Sequence, residues 1–289
     1  MSEKMRERVK RSPLLLMNAS DELKDDKELV LTAVSKDGVA LREASSRLRK
    51  DRDVVLAAVK QNPLALDFAL NEDLRDDEEI AIEAIKRNGR ALYYLSSRLR
   101  NNKMIVLLAA LNNLESLIYV GEELRSSAID YAEVLSLLME RFFGDEKSKR
   151  IISDYTPTRL KSSKLCLLET LRYIPKSLLL VDETLLNDKD IVLTAVKGDG
   201  ELLKYVGDKF KNDPEIVLAA IKSNYKAIEY VGKELINERS AYMKILEKGL
   251  NRYFSTSEKE WILSKLPSEL KNNTPLIIKI FSKNKINRR

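Results

Sequence analysis

The chain has 289 residues, 44% of them apolar and 33% charged, with a formal net charge of +6, no histidine and one cysteine. Without histidine it has no Ser-His-Asp or Cys-His nucleophile and no His-ligated metal, and the lone Cys166 excludes an intramolecular disulfide or a CxxC zinc site. Nine glycines and seven prolines are few for a loop-rich β protein, and no apolar run approaches the roughly 20 residues that span a bilayer.

The N-terminal stretch MSEKMRERVKR lacks the apolar centre of a signal peptide. The expected location is therefore cytoplasmic, or the chain is exported by a signal not readable here. From this point the chain is periodic. Leu23, Leu48, Leu74, Leu99 and Leu124 recur at steps of 25 or 26 residues, and Leu160, Leu185, Phe210 and Leu235 at steps of 25. Such a period is the mark of a repeat architecture, in which no unit folds alone. VKRSPLLLMNASDEL matches VKQNPLALDFALNEDL, so the chain opens inside a repeat.

With the anchor counted as column zero, column three is Asp26, Asp51, Asp77, Asn102, Ser163, Asp188 and Asp213, all helix N-cap types. Pro214 at column four and acids at column five suit the first turn of a helix. An apolar run follows, with alanine at column ten in six units of seven and Thr170 in the other. This predicts a helix of about three turns making a close approach that a larger side chain would block. Asp or Asn at column fourteen, in every unit but that of Ile174, and Gly or Pro at column fifteen, in every unit but those of Leu114 and Tyr225, end that helix. A second, shorter helix is expected over columns eighteen to twenty-one, with aromatics Phe68, Tyr94, Tyr119, Tyr205 and Tyr230 at column twenty.

Two units are longer, from Leu124 to Leu160 and from Leu235 to Leu270, and they resemble each other. Arg141-Phe142-Phe143 and Arg252-Tyr253-Phe254 lie 111 residues apart within them. The pattern implies two blocks, residues 1–159 and 160–289, each a set of short repeats closed by a long unit, in one continuous solenoid. The fold class is all-α: an α-solenoid of helix-turn-helix repeats. The last 19 residues carry six basic side chains and no acid, which leaves residues 1–270 neutral.

The stretches DLRDDEEIAIEAIKRNGRALYYLSSRL and RLRKDRDVVLAAVKQNPLALDFAL resemble the short tandem repeats catalogued as domain of unknown function 4116. The resemblance spans roughly residues 1–124 and 160–237; the long units and the tail depart from it. Such repeats occur in bacterial proteins, candidate effectors among them. The resemblance implies an interaction scaffold and carries over no catalytic residue.

The acids repeat as helix caps, so no catalytic, metal or cofactor site is expected, and Cys166 reads as core filler. Two features are candidates for partner binding. Lys60, Lys86, Arg172, Lys197 and Lys222 form a cation ladder at column twelve, which either tracks a phosphate backbone or acidic partner or offsets the helix dipole. The two Arg-aromatic triplets either cover the core as helix ends or form equivalent contact points. Column-twenty aromatics either pack between units or stack bases. The expected function is a non-enzymatic protein–protein interaction scaffold, effector-like in setting. The alternative is a nucleic-acid-binding repeat protein using the ladder and the basic tail. The partner is then another protein or a nucleic acid, not a membrane, and the open helical ends leave self-association as a further outcome.

Overall fold

The computed structural model describes residues 2–250 and 254–281. Among them every regular element is helical and no strand occurs, so the chain is an all-α repeat solenoid. It divides into two compact units, Met1–Val134 with Phe142–Tyr155, and Leu135–Arg141 with Thr156–Arg289.

Each short repeat holds three helical pieces rather than the two expected. The anchor sits on a turn of its own, as in Asp21–Lys24, Glu72–Arg75 and Asp208–Lys211. A ten-residue α-helix follows, as in Lys27–Lys36, Arg52–Gln61, Glu78–Arg87 and Lys103–Asn112 of the first unit. The second unit repeats it as Lys164–Tyr173, Lys189–Gly198 and Pro214–Ser223. The expected second α-helix is a six-residue 3-10 helix, as in Gly38–Glu43, Pro63–Phe68, Gly89–Tyr94 and Leu114–Tyr119. In a 3-10 helix residues three apart eclipse. Columns fifteen, eighteen and twenty-one therefore share the inner row, as Gly38, Leu41 and Ala44 do, all buried. Columns sixteen and nineteen form the outer row.

The ten-residue helices bury columns six, seven, ten and eleven, for example Val54, Val55, Ala58 and Val59, each 0% exposed. Full burial of one such aliphatic side chain is worth about 1.5–3 kcal/mol, and helices this short are marginal in isolation, so packing against the neighbouring repeats holds them. The close approach at column ten is real. A Cβ on Gly38, Gly89 or Gly200 would collide with the carbonyl oxygen of Ala58, Ala109 or Ala220 in the following repeat. Thr170 is tolerated in that column because its hydroxyl turns back to the Cys166 carbonyl, 2.9 Å away. Cys166 itself is half-buried, not the buried filler expected.

Successive repeats exchange polar partners, which column-by-column reading misses. The column-four cation of one repeat binds the column-three cap and column-five acid of the next. Lys27 reaches Asp51 and Asp53, Arg52 reaches Asp77 and Glu79, Lys164 reaches Asp188 and Asp190, and Lys189 reaches Asp213 and Glu215, all within 2.6–3.0 Å. Where column four is acidic, at Glu78, the next cap is the uncharged Asn102. A second exchange joins Asp25 to Ser45 and Arg47, and Asp76 to Ser96 and Arg98. There the serine caps its own turn: the Leu48 and Leu99 N–H groups each donate to Ser Oγ at 3.2 Å. In two of the three Asn and Gly pairs the cap comes from the preceding repeat: Leu124 N–H donates to Asn101 Oδ1 at 3.0 Å and Leu235 N–H to Asn212 Oδ1 at 3.1 Å. Gly121 and Gly232 make room, since a Cβ on either would strike that asparagine. Gly207, opposite Asn187, has open space and lacks this constraint.

Two predictions follow from these exchanges. Gly121→Ser forces the Asn101 side chain aside and should cost about 1–3 kcal/mol in urea unfolding. Adding Asn101→Asp and Glu123→Arg recreates the Asp-Ser-Arg set of the earlier repeats and should recover most of that loss. A triple variant no more stable than Gly121→Ser alone would contradict the exchange. The second prediction concerns acid. Arg52 holds the Asp77 carboxyl below its ordinary range, desolvation opposes this, and the Ile80 N–H adds to the lowering. Lys164 does the same for Asp188. A carboxyl depressed in the folded state contributes stability that is full above the unfolded value of about 3.9 and is lost as pH falls through the folded value. Unfolding midpoints should be level from pH 7 to about 5 and fall below about pH 4. Asp77→Asn keeps the cap, so it should lower stability at pH 7 by about 0.5–1 kcal/mol and converge with the parent in acid. A parallel offset at every pH would contradict this.

Candidate functional site

The repeat presents two outward faces: one made by columns five, eight, nine and twelve of the ten-residue helices, the other by the outer row of the 3-10 helices. Lys60, Lys86, Arg172, Lys197 and Lys222 all lie exposed in the last turns of their helices on the first of these faces. Lys86 binds Glu83 at 3.0 Å. The Glu83 carboxyl is held below its ordinary range by Lys86 first, with smaller contributions from Lys60 and Arg87. The first two cations of the ladder thus face one acid. Lys197 and Lys222 border one shallow cleft of about 380 Å³, floored by Leu193, Leu218 and Ala219.

The column-twenty aromatics sit elsewhere, at the ends of the 3-10 helices, and all five are half-buried. Tyr94 and Tyr119 line a cleft of about 260 Å³ together with Pro63, Leu64, Arg90 and Tyr93. No column-twelve cation borders that cleft. The Tyr93 ring meets Tyr94 and Tyr119 edge to face, with centroids 5.0 and 5.2 Å apart. The Tyr119 phenol raises the pKa of the neighbouring Arg90, which also lies 3.7 Å from Glu115.

The Arg-aromatic triplets do not behave as equivalents. In the first, Arg141 ends the helix Ala128–Arg141, Phe142 is half-buried, and Phe143 is 39% exposed with the Lys149 ammonium 4.3 Å above its ring. In the second, Arg252 and Tyr253 lie outside the described residues. Phe254, the counterpart of Phe143, is 1% exposed, and its ring packs on Tyr225 and Phe281. Phe254 is therefore core and is corrected as a contact point. Tyr225, half-buried against the same core, also meets Trp261 at 5.3 Å.

The outer row of the 3-10 helices was not legible as a site. In the first unit it exposes Leu14, Met17, Leu64, Tyr93 and Ile118, at 46–58% of their surface, interspersed with Arg42, Asp67, Arg90 and Glu115. In the second unit the same columns carry Lys176, the half-buried Leu179, Glu201, Lys204, Lys226 and Glu229. A period of three after each Asx cap was the available signal. Among the described residues no three His, Cys, Asp or Glu side chains gather as a metal site, and no helix is long and apolar enough to cross a membrane.

The family model described as Domain of unknown function (DUF4116) matches residues 2–44, 26–75, 77–125, 163–206 and 188–236. No curated protein and no solved structure matches the chain. The five overlapping matches cover most of the sequence and follow the repeats described above, so the chain belongs to the DUF4116 family as a tandem array of its helical repeats.

Proposed function

We propose that the protein is a non-enzymatic protein-interaction scaffold that binds a partner polypeptide on the 3-10 face of its first unit. The observation that carries this is the outer row at the tyrosine-lined cleft, where Leu64 and Tyr93 in its lining and Ile118, next in chain to its Tyr119, stand 47–58% exposed. Contiguous exposed apolar surface marks interaction sites in soluble folds, and tyrosine and arginine dominate interface energetics. The second unit sets the contrast, since all of its equivalent row but Leu179 is charged and it is partly engaged, with Lys176 bound to Glu140 and Lys265 to Glu229, each at 2.6 Å. Tyr93, Tyr94 and Tyr119 supply broad contact area with few rotatable bonds, which lowers the entropy lost on binding.

A nucleic-acid groove combining the ladder with stacked aromatics is not supported in the first unit, where no ladder cation lines the cleft of Tyr94 and Tyr119; this favours a protein partner over the reading that uses the ladder and the basic tail. Affinity capture from lysate with the purified chain, with and without nuclease, tests the reading when run beside Tyr93→Glu. A specific protein retained under both conditions and lost with Tyr93→Glu is the expected result. Loss of all bound material on nuclease treatment would instead favour nucleic acid, and Lys60, Lys86, Lys197 and Lys222 would then be the residues to neutralise.

A further inference from the structure

The fourth repeat has an outer helix face unlike the others. In every other short repeat, column five or column twelve carries a charge: Glu28, Asp53 with Lys60, Glu79 with Lys86, Arg172, Asp190 with Lys197, and Glu215 with Lys222. In the helix Lys103–Asn112 both are apolar, as Met104 and Leu111, with Leu108 at column nine between them. All three are exposed, at 64%, 41% and 40% respectively. The spacing i, i+4, i+7 puts them on one stripe. A helix apolar on all sides is normally covered.

The stripe runs between two clefts. At its N-terminal end Met104 borders a cleft with Glu123, Ser127 and Asp130. At its C-terminal end Leu111 borders a cleft of about 320 Å³ that also takes in Phe142, Asp145 and Ile151. Acids outnumber bases three to one at the N-terminal end and two to one in the lining of the C-terminal cleft. Lys103 is held by Asp130 and Glu133 at 3.0 and 2.7 Å, while Glu123 makes no ion pair among the described residues. At the other end Asp145 and Glu115 stand with Lys147, and Glu115 lies 3.7 Å from Arg90.

We propose that this stripe is the docking site for a basic amphipathic helix of a partner protein. Its apolar side chains at i, i+3 or i+4, and i+7 would lie over Met104, Leu108 and Leu111. Its Lys or Arg residues would face Glu123 at one end and Asp145 at the other. From Met104 to Leu111 the stripe runs about 10 Å, and the clefts extend it to the two or three turns that helix-in-groove recognition uses. This deepens the scaffold reading and rests on it, but uses a different face, so the two fail separately.

The test is fluorescence anisotropy of the full chain with a dye-labelled Leu/Lys amphipathic peptide of about five turns. Two controls are a sequence-scrambled Leu/Lys peptide and a Leu/Glu peptide of the same pattern. Met104→Glu with Leu111→Lys restores the charges of the sister repeats without altering net charge, and Leu108→Gln is the second variant. Thermal unfolding checks that both remain folded. Saturable binding is expected for the patterned Leu/Lys peptide only, weakened at least about tenfold by either variant and unchanged by Tyr93→Glu. Equal binding by the scrambled peptide, equal binding by the variants, or no binding at all would overturn the proposal. So would sedimentation showing a dimer of the parent chain that the variants dissociate, since the occupant would then be a second copy. Failure of the Tyr93→Glu capture alone, with peptide binding intact, would sink the 3-10 face reading and leave this one standing.

Discussion

Short helices expose backbone donors, and this array contains little else. Each α-helix start leaves about four N–H groups without an acceptor in the helix, and a short repeat starts a helical piece three times. Unpaired, such buried donors cost about 1–3 kcal/mol apiece. The repeat is therefore organised around acceptors. Column three caps the ten-residue helix, as where Asp77 Oδ1 accepts from Glu79 and Ile80. Column fourteen caps the 3-10 helix, as where Asn88 Oδ1 accepts from Arg90 at 3.0 Å. The Leu48 and Leu99 turns are capped by their own serine, the Leu74 turn by its own Asn71, and the Leu124 and Leu235 turns by the asparagine of the repeat before. Because the caps are then held by cations or partners from the adjoining repeat, the same groups that start the helices also fix which repeats stack.

Much of this was legible in the sequence because caps and core columns are local. Asp, Asn and Ser at column three and the alanines at column ten declare a helix start and a close approach without knowledge of any neighbour. The exchanges between repeats were not legible column by column, because each is a relation between different columns of successive units. Glu78 looks like an ordinary first-turn acid until the following cap is seen to be Asn102 rather than Asp. Gly121 looks like a turn glycine until Asn101 is found in the space of its missing Cβ. The 3-10 helices were misread for a related reason. Apolar residues at columns eighteen and twenty-one suit either helix type, and only the six residues available between the Asx cap and the next turn decide for the tighter one.

The long units show how far sequence equivalence can mislead about a surface. Phe143 and Phe254 occupy matching places, yet one is exposed beneath Lys149 and the other lies in the core of its unit. The difference traces to what surrounds each. Tyr225, Trp261 and Phe281 provide an aromatic neighbourhood in which Phe254 is enclosed. The candidate binding residues that stand out structurally are instead Met104 and Leu111, which break the charge pattern of the helix face, and the exposed Tyr93 on the 3-10 face. A repeat array needs its inner columns for stability, which leaves the outer columns free to diverge from unit to unit.

Hydrogen exchange at the Leu124 amide tests the exchange of caps most directly. If the acceptor for that N–H belongs to the preceding repeat, Asn101→Ala should speed exchange at Leu124 strongly while leaving the serine-capped Leu99 amide near its parent rate. Asn212→Ala should do the same at Leu235. Unchanged protection at Leu124 in Asn101→Ala would mean that this turn does not take its cap from the preceding repeat, and would contradict the exchange of caps.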